Sequence, residues 1–224
     1  MIRTTRHGSL RSEIYHRLRE NILNGSYRRG AALTEVQITR EMGVSRTPVR
    51  EALSQLVLDG LVRATPNKSI IVLGIDDQDI LDLYEVRGVL ETLAASKAAA
   101  RMTEEQKWAL REALDIEKQA TGDRNAVEIL QNMDSTFHDI IFQGTGSKIL
   151  RNILSPINIY TRYARSFSLA SPGRSQLVVE EHSRICDAII NGDCQAAGER
   201  MQEHIARSFA NFQAIRIKGG QNHD

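Results

Sequence analysis

Four residues in the second half of the chain have the types and spacing to hold a metal ion: Asp134, His138, His182 and His204. Asp134 and His138 are four apart, so on a helix they project from one face and can reach one ion. Asp134 stands in line with Val127, Leu130, Phe137 and Ile141, at a position where a leucine or isoleucine is expected. His182 lies in the stripe Val178, Ile185, Ile189, and His204 adjoins Met201, Ile205 and Phe212. Asn191-Gly192-Asp193 is a tight turn, so the helices on either side of it run antiparallel. Each imidazole is 11 residues from Asp193, roughly 16 Å from the turn at ~1.5 Å per residue. The two rings are therefore level. A single histidine or Asp–His couple on an apolar face is more often a hydrogen-bonded core group. Two histidines at matching height, with an Asp–His pair on a third helix, favour a shared divalent ion. Zinc comes first for such a ligand set, and nickel and manganese also fit. An ion that accepts five or six donors keeps positions for the oxygens of a small carboxylate effector. Cys186, one turn after His182, reads as packing rather than as a ligand.

A second chemistry sits in residues 43–60, GVSRTPVREALSQLVLDG. Val49, Ala52, Leu53, Leu56 and Val57 form the apolar stripe of a helix packed on one side. Arg46, Thr47, Arg50 and Ser54 occupy the other side. Two guanidiniums one turn apart near a helix N-terminus suit phosphates and the N7/O6 edge of guanine. An ordinary surface helix with solvated arginines is the bland alternative.

The surroundings favour the DNA reading. Ser45 is positioned to cap the helix, and Pro48 falls in the first turn, where its missing N–H costs nothing. Gly43 supplies the turn of a helix-turn-helix, and Thr34 with Gln37 makes a capping box for a helix over 35–42. After Gly60, two short strands at 61–63 and 70–73 flank a basic loop that contains Asn67 and Lys68, the pattern of a wing. Upstream, Leu10, Ile14, Leu18 and Ile22 mark a supporting helix that ends at Asn24-Gly25.

Residues 74–77 read as a hinge, and beyond them the pattern is helical throughout. Helices are expected over 76–101, from a Thr103/Gln106 capping box to 120, over 123–142, over 147–168 with Pro156 bending or splitting it, over 176–190 and over 194–217. The fold class is mainly α: an N-terminal winged helix-turn-helix plus an all-α bundle of six or seven helices. The expected division is 1–75 for DNA binding, 76–218 for metal and effector binding, and a disordered tail at 219–224, with residues 1–8 polar and mobile. The formal charge of +1 conceals an asymmetry that supports this division. Residues 1–75 carry 12 Lys and Arg against 6 Asp and Glu, whereas the remainder carries 17 against 22, so the ends stand at +6 and −5. One end is suited to a polyanion.

The composition, 41% hydrophobic and 25% charged, is that of a soluble globular protein. No stretch approaches the ~18–20 apolar residues of a membrane span, and no signal peptide opens the chain, so a cytoplasmic location is expected. Cys186 and Cys194 form no C-x-x-C and are expected to be reduced.

With Gly25, Leu33 followed by Glu35, and eleven unbroken residues GVSRTPVREAL at 43–53, residues 10–73 resemble the DNA-binding domain of the GntR family of bacterial transcription regulators. Arg29-Gly30 and Ser69 depart from that pattern, which often has Pro-Gly and a wing glycine there. The resemblance implies DNA contacts from Arg46, Thr47 and Arg50, with Asn67 and Lys68 entering the minor groove. D-x-x-x-H followed by single histidines on the last two helices resembles the FCD domain, the effector-binding half of the fatty-acid-regulator branch. That implies Asp134, His138, His182 and His204 as ligands. It also implies Arg87, in YEVRGVLE, as the residue that meets an effector carboxylate; the bland alternative for Arg87 is an i, i+4 ion pair with Glu91 on a solvated face. Arg162 is a second effector candidate. The expected function is a ligand-responsive regulator, a repressor that binds a palindromic operator as a homodimer. It is not an enzyme, no H-E-x-x-H being present. A metal-dependent enzyme acting on a small organic acid and a sensor of metal level are the alternatives.

Overall fold

Apolar residues four apart bury one face of α1 (Leu10–Leu23) through Ile14, Leu18 and Ile22. The computed structural model describes residues 10–66, 69–121, 127–169 and 173–220, with the backbone alone at 127–128, 159, 162–169 and 217–220. Expectations for residues 1–9, the wing tip at Asn67 and Lys68, the break at 122–123 and the helix start at 123–126, the turn residues 171–172, the side chain of Arg162 and residues 221–224 lie outside the described residues. The chain divides into two compact units, Met1–Asp77 and Gln78–Asp224.

In the first unit, β1 (Ala32–Thr34) runs directly into α2 (Glu35–Met42). Thr34 Oγ1 accepts the Gln37 N–H at 3.2 Å as an N-cap. Gly43 ends α2 in the left-handed region at φ 67°, its N–H bonded to Thr39 O, and so makes the turn into α3 (Arg46–Leu58). Val49, Ala52, Leu53 and Leu56 are buried, whereas Val57 is 37% exposed and does not belong to the stripe. It lies eight residues from Val49, where the ~3.6-residue period has drifted off the packed face. Ser45 stands at the N-cap without a side-chain cap hydrogen bond. β2 (Val62–Ala64) and β3 (Ser69–Val72) complete a three-stranded antiparallel sheet in the order β1-β3-β2, with Leu33 opposite Ile70 and Arg63 opposite Ile71. The third strand, β1, escapes pattern reading because three residues carry too little alternation to register.

The second unit contains six helices among the described residues: α4 (Asp77–Arg101), α5 (Glu104–Ala120), α6 (Val127–Gly144), α7 (Lys148–Leu169), α8 (Arg174–Ile190) and α9 (Cys194–Gly220). The Thr103/Gln106 capping box is complete, with the reciprocal bonds at 3.2 and 3.1 Å. Pro156 lies within α7 without dividing it. Pro156 and Asn152 are both exposed, so the hydrogen bond that Pro156 cannot donate to the Asn152 carbonyl is missing on an exposed face of the helix. Towards its end α9 runs three residues past the expected limit at 217, to Gly220. Ala94, Ala95, Ala98 and Ala99 give α4 a small buried face, against which α9 approaches closely enough for Gly198 to face Thr92 and Ser96. Phe137, Ile141, Leu154, Ile185, Ile189 and Met201 fill the core from α6, α7, α8 and α9. No helix of the described residues is long and apolar enough to cross a membrane.

Candidate metal centre and DNA-reading helix

The stripe of α6 places Asp134 and His138 inward beside Leu130, Phe137 and Ile141, and α8 and α9 bring His182 and His204 to meet them. One donor atom from each of the four lies within 4.8 Å of the other three. The ring centroids of His182 and His204 are 4.8 Å apart, and that of His138 lies 5.4 and 5.3 Å from theirs. His182 and His204 are thus level across the α8–α9 pair. Phe137 stacks on the His182 ring at 4.1 Å and 9°, which holds its plane. Exposure is 0% for His138 and His182, 2% for His204 and 4% for Asp134, so bulk water is excluded. Donors ~2.1 Å from a shared ion stand at most about 4.2 Å apart, so small side-chain rotations suffice to close this set.

A second layer, which the sequence patterns did not single out, lies behind the imidazoles. His182 Nδ1 donates to Glu117 Oε2 of α5 at 2.8 Å, and His204 Nδ1 donates to Glu181 Oε2 of α8 at 2.8 Å. Glu91 Oε2 of α4 lies 2.6 Å from His138 Nδ1. A carboxylate only accepts, so Nδ1 carries the proton, and in a neutral ring Nε2 then presents its lone pair, the tautomer that a metal ligand needs. Burial, opposed by Glu181 and reinforced by His182 and His138, pushes the His204 pKa down to about 3. His204 is therefore neutral at physiological pH, as ligation requires.

Glu91 and Glu181 have guanidinium partners. Arg87 Nε donates to Glu91 Oε1 at 2.5 Å, both side chains buried, and Arg174 grips Glu181 through two bonds of 2.9 and 3.0 Å. Burial raises the Glu91 pKa, and Arg87 with His138 more than reverses this, which leaves the carboxyl well below its usual range. For Glu181, burial is likewise outweighed by the bonds from His204 and Arg174, and the pKa falls to about 2. Among the described residues of this unit, four buried carboxylates, Glu91, Glu117, Asp134 and Glu181, thus face two buried guanidiniums, Arg87 and Arg174. With neutral imidazoles the formal excess is two negative charges, which one divalent cation would cancel. The donor set and this charge balance both fit such an ion. The signal for Glu117 was present in the sequence: it continues the stripe Leu110, Ala113, Leu114 of α5, where an aliphatic residue is expected.

Arg87 sits one carboxylate away from His138, under the Tyr84 ring at 5.0 Å. The i, i+4 pair with Glu91 exists, but in the core rather than on a solvated face. Arg162 is carried by α7.

In the first unit, α3 exposes Arg46, Thr47 and Arg50 opposite its buried stripe. Arg50 Nε and Nη2 donate to Glu35 Oε1 and Oε2 of α2 at 3.1 and 3.0 Å. This sideways grip fixes the guanidinium and leaves Nη1 outside the pair. Glu35 was legible only as part of a motif, because its partner is on another helix.

Residues 82–207 match the FCD domain family, and residues 10–72 match the family described as bacterial regulatory proteins, gntR family. The chain is 25% identical over 211 residues to the HTH-type transcriptional regulator YdhC of Bacillus subtilis (strain 168), covering 94% of each protein. It is 24% identical to the HTH-type transcriptional repressor RspR of Escherichia coli (strain K12), over 91% of this chain and 89% of that one. The solved structure of E. coli McbR/YncC shares the fold with a TM-score of 0.74 at 20% identity, over 92% of this chain and 98% of that chain.

Proposed function

We propose, from the premise that this chain belongs to the GntR family of bacterial regulators and carries its FCD domain, that it is a metal-dependent repressor released or engaged by a small carboxylate. The family and the relatives are DNA-binding transcriptional regulators with a ligand-binding domain, not enzymes. In this reading residues 1–75 bind a palindromic operator as part of a cytoplasmic homodimer, with Arg46, Thr47 and Arg50 on bases and Asn67 and Lys68 in the minor groove. Residues 76–218 bind the ion and the effector.

One observation carries the metal assignment: four buried donors from three helices converge, and each imidazole has a carboxylate at Nδ1. Asp134, His138, His182 and His204 would hold a divalent transition metal, zinc foremost, with nickel and manganese compatible. When bound, the ion supplies a Lewis-acid site for carboxylate oxygens. Arg87, with Arg162 as a second candidate, would meet the rest of the effector's negative charge. Arg87 has to leave Glu91 to do so. Because α4 carries both residues and continues directly from the linker at 74–77, that exchange acts on the helix joined to the DNA-binding half.

The test measures the metal content of purified protein by native mass spectrometry. Operator affinity is then compared with and without zinc across a panel of small organic acids. Zinc-bound protein whose DNA affinity changes only when an acid is added supports the proposal. A response to the metal alone would make the protein a sensor of metal level. Metal-free protein that zinc, nickel and manganese all leave unaffected would reduce the four residues to a polar core cluster.

A further inference from the structure

We infer that Glu117 is the positioning residue on which the cluster's affinity for its ion chiefly depends, acting through His182. This rests on the metal-binding reading above. All three imidazoles have a carboxylate behind them, but the three carboxylates differ in what neutralises them. Glu91 shares its charge with Arg87 at 2.5 Å. Glu181 is gripped twice by Arg174, and Arg207 adds a longer contact at 3.7 Å. Glu117 is 1% exposed, and among the described residues no arginine or lysine forms an ion pair with it. Its Oε2 meets His182 Nδ1 at 2.8 Å, and its Oε1 is buried without a hydrogen-bond partner there.

A carboxylate whose charge is already cancelled by a guanidinium polarises an imidazole less than one whose charge has no other outlet. Among the described residues, arginines pair with Glu91 and Glu181, Asp134 lies 3.8 Å from His182 Nε2, and no arginine or lysine forms an ion pair with Glu117. Asp134 can meet a cation directly. Glu117 meets it only through the ring of His182, whose plane is held by Phe137. Removing the Glu117 charge therefore has opposite consequences for the two states of the protein. Without an ion, a buried and unmatched negative charge disappears, which relieves the fold. With an ion, the negative charge behind His182 is lost.

The test uses the full chain and compares wild type with Glu117→Gln and Glu181→Gln. Zn2+ affinity is read by competition with a chromophoric chelator, and the metal-free melting temperature is read separately. Glu117→Gln keeps the shape and an acceptor oxygen, and its Zn2+ affinity should fall roughly 10- to 100-fold, further than that of Glu181→Gln, while its metal-free melting temperature stays level or rises. Glu117→Asp retains the charge and should recover most of the affinity. Unchanged Zn2+ affinity in Glu117→Gln, or a loss in Glu181→Gln as large, would overturn the inference alone. A lowered metal-free melting temperature with unchanged affinity would make Glu117 a packing residue. A wild type that competes for no Zn2+ would remove the metal reading and this inference with it.

Discussion

At the scale of single residues, function is expected to separate by what each side chain faces. Arg46→Ala and Arg50→Ala should each lose a base contact of ~1–3 kcal/mol, with no change in fold, because both project away from the buried stripe of α3. Gel-shift affinity for a cognate operator checks this; unchanged binding in both would remove α3 from the DNA interface. The Glu35–Arg50 pair is largely exposed on the arginine side, so it contributes at most ~1 kcal/mol to stability. Its significance is orientation, and Glu35→Ala should narrow the ratio of specific to nonspecific DNA affinity without moving the melting temperature. The cysteines should differ as sharply. Cys186 is buried, and burial followed by the Asp187 charge raises its pKa to about 11, whereas Cys194 is partly exposed. The thiolate is the reactive form, so a thiol reagent at pH 8 should label Cys194 in the native protein and reach Cys186 only after unfolding.

At the scale of elements, the cluster ties α6, α8 and α9 at one level, so ligand loss is a loss of helix–helix restraint as well as of chemistry. An ion at a hundred times its dissociation constant stabilises by ~2.7 kcal/mol, which in a unit of this size is about 5–10 °C. Chelation should lower the melting temperature by that order, and His182→Ala or His204→Ala should lower both the metal content and the shift on chelation. Calorimetry with and without chelator decides it. The turn between α2 and α3 offers an independent check. A Cβ added at Gly43 meets nothing within 4 Å, so Gly43→Ala is unfavourable only through its left-handed backbone, by ~1–2 kcal/mol. A melting temperature equal to wild type would contradict that conformation.

At the scale of the whole molecule, the proposed effector role of Arg87 would set regulation against stability for one side chain, because Arg87 also pairs with Glu91 in the core. Arg87→Ala would leave Glu91 buried without its counter-charge, at ~3–5 kcal/mol, and would confuse unfolding with loss of response. Arg87→Lys keeps the charge but not the guanidinium fork. It should retain operator and metal binding while needing a higher carboxylate concentration to change DNA affinity; a wild-type response would exclude Arg87 from effector binding. The sequence by itself determined what recurs within one or two turns of a helix: the buried stripe of α3, the capping box at Thr103 and Gln106, the shared face of Asp134 and His138, and the level rings of His182 and His204. Each follows from helical pitch and a short turn, which are the same in any fold. Only the tertiary structure decided which carboxylates stand behind those rings, that Arg87 and Glu91 pair in the core instead of at the surface, that Ala32–Thr34 becomes a strand, and that Glu35 holds Arg50. Those contacts join residues up to 65 positions apart. Their partners are chosen by how whole helices dock, and the periodicity along one segment carries no information about which charged face of another it will meet.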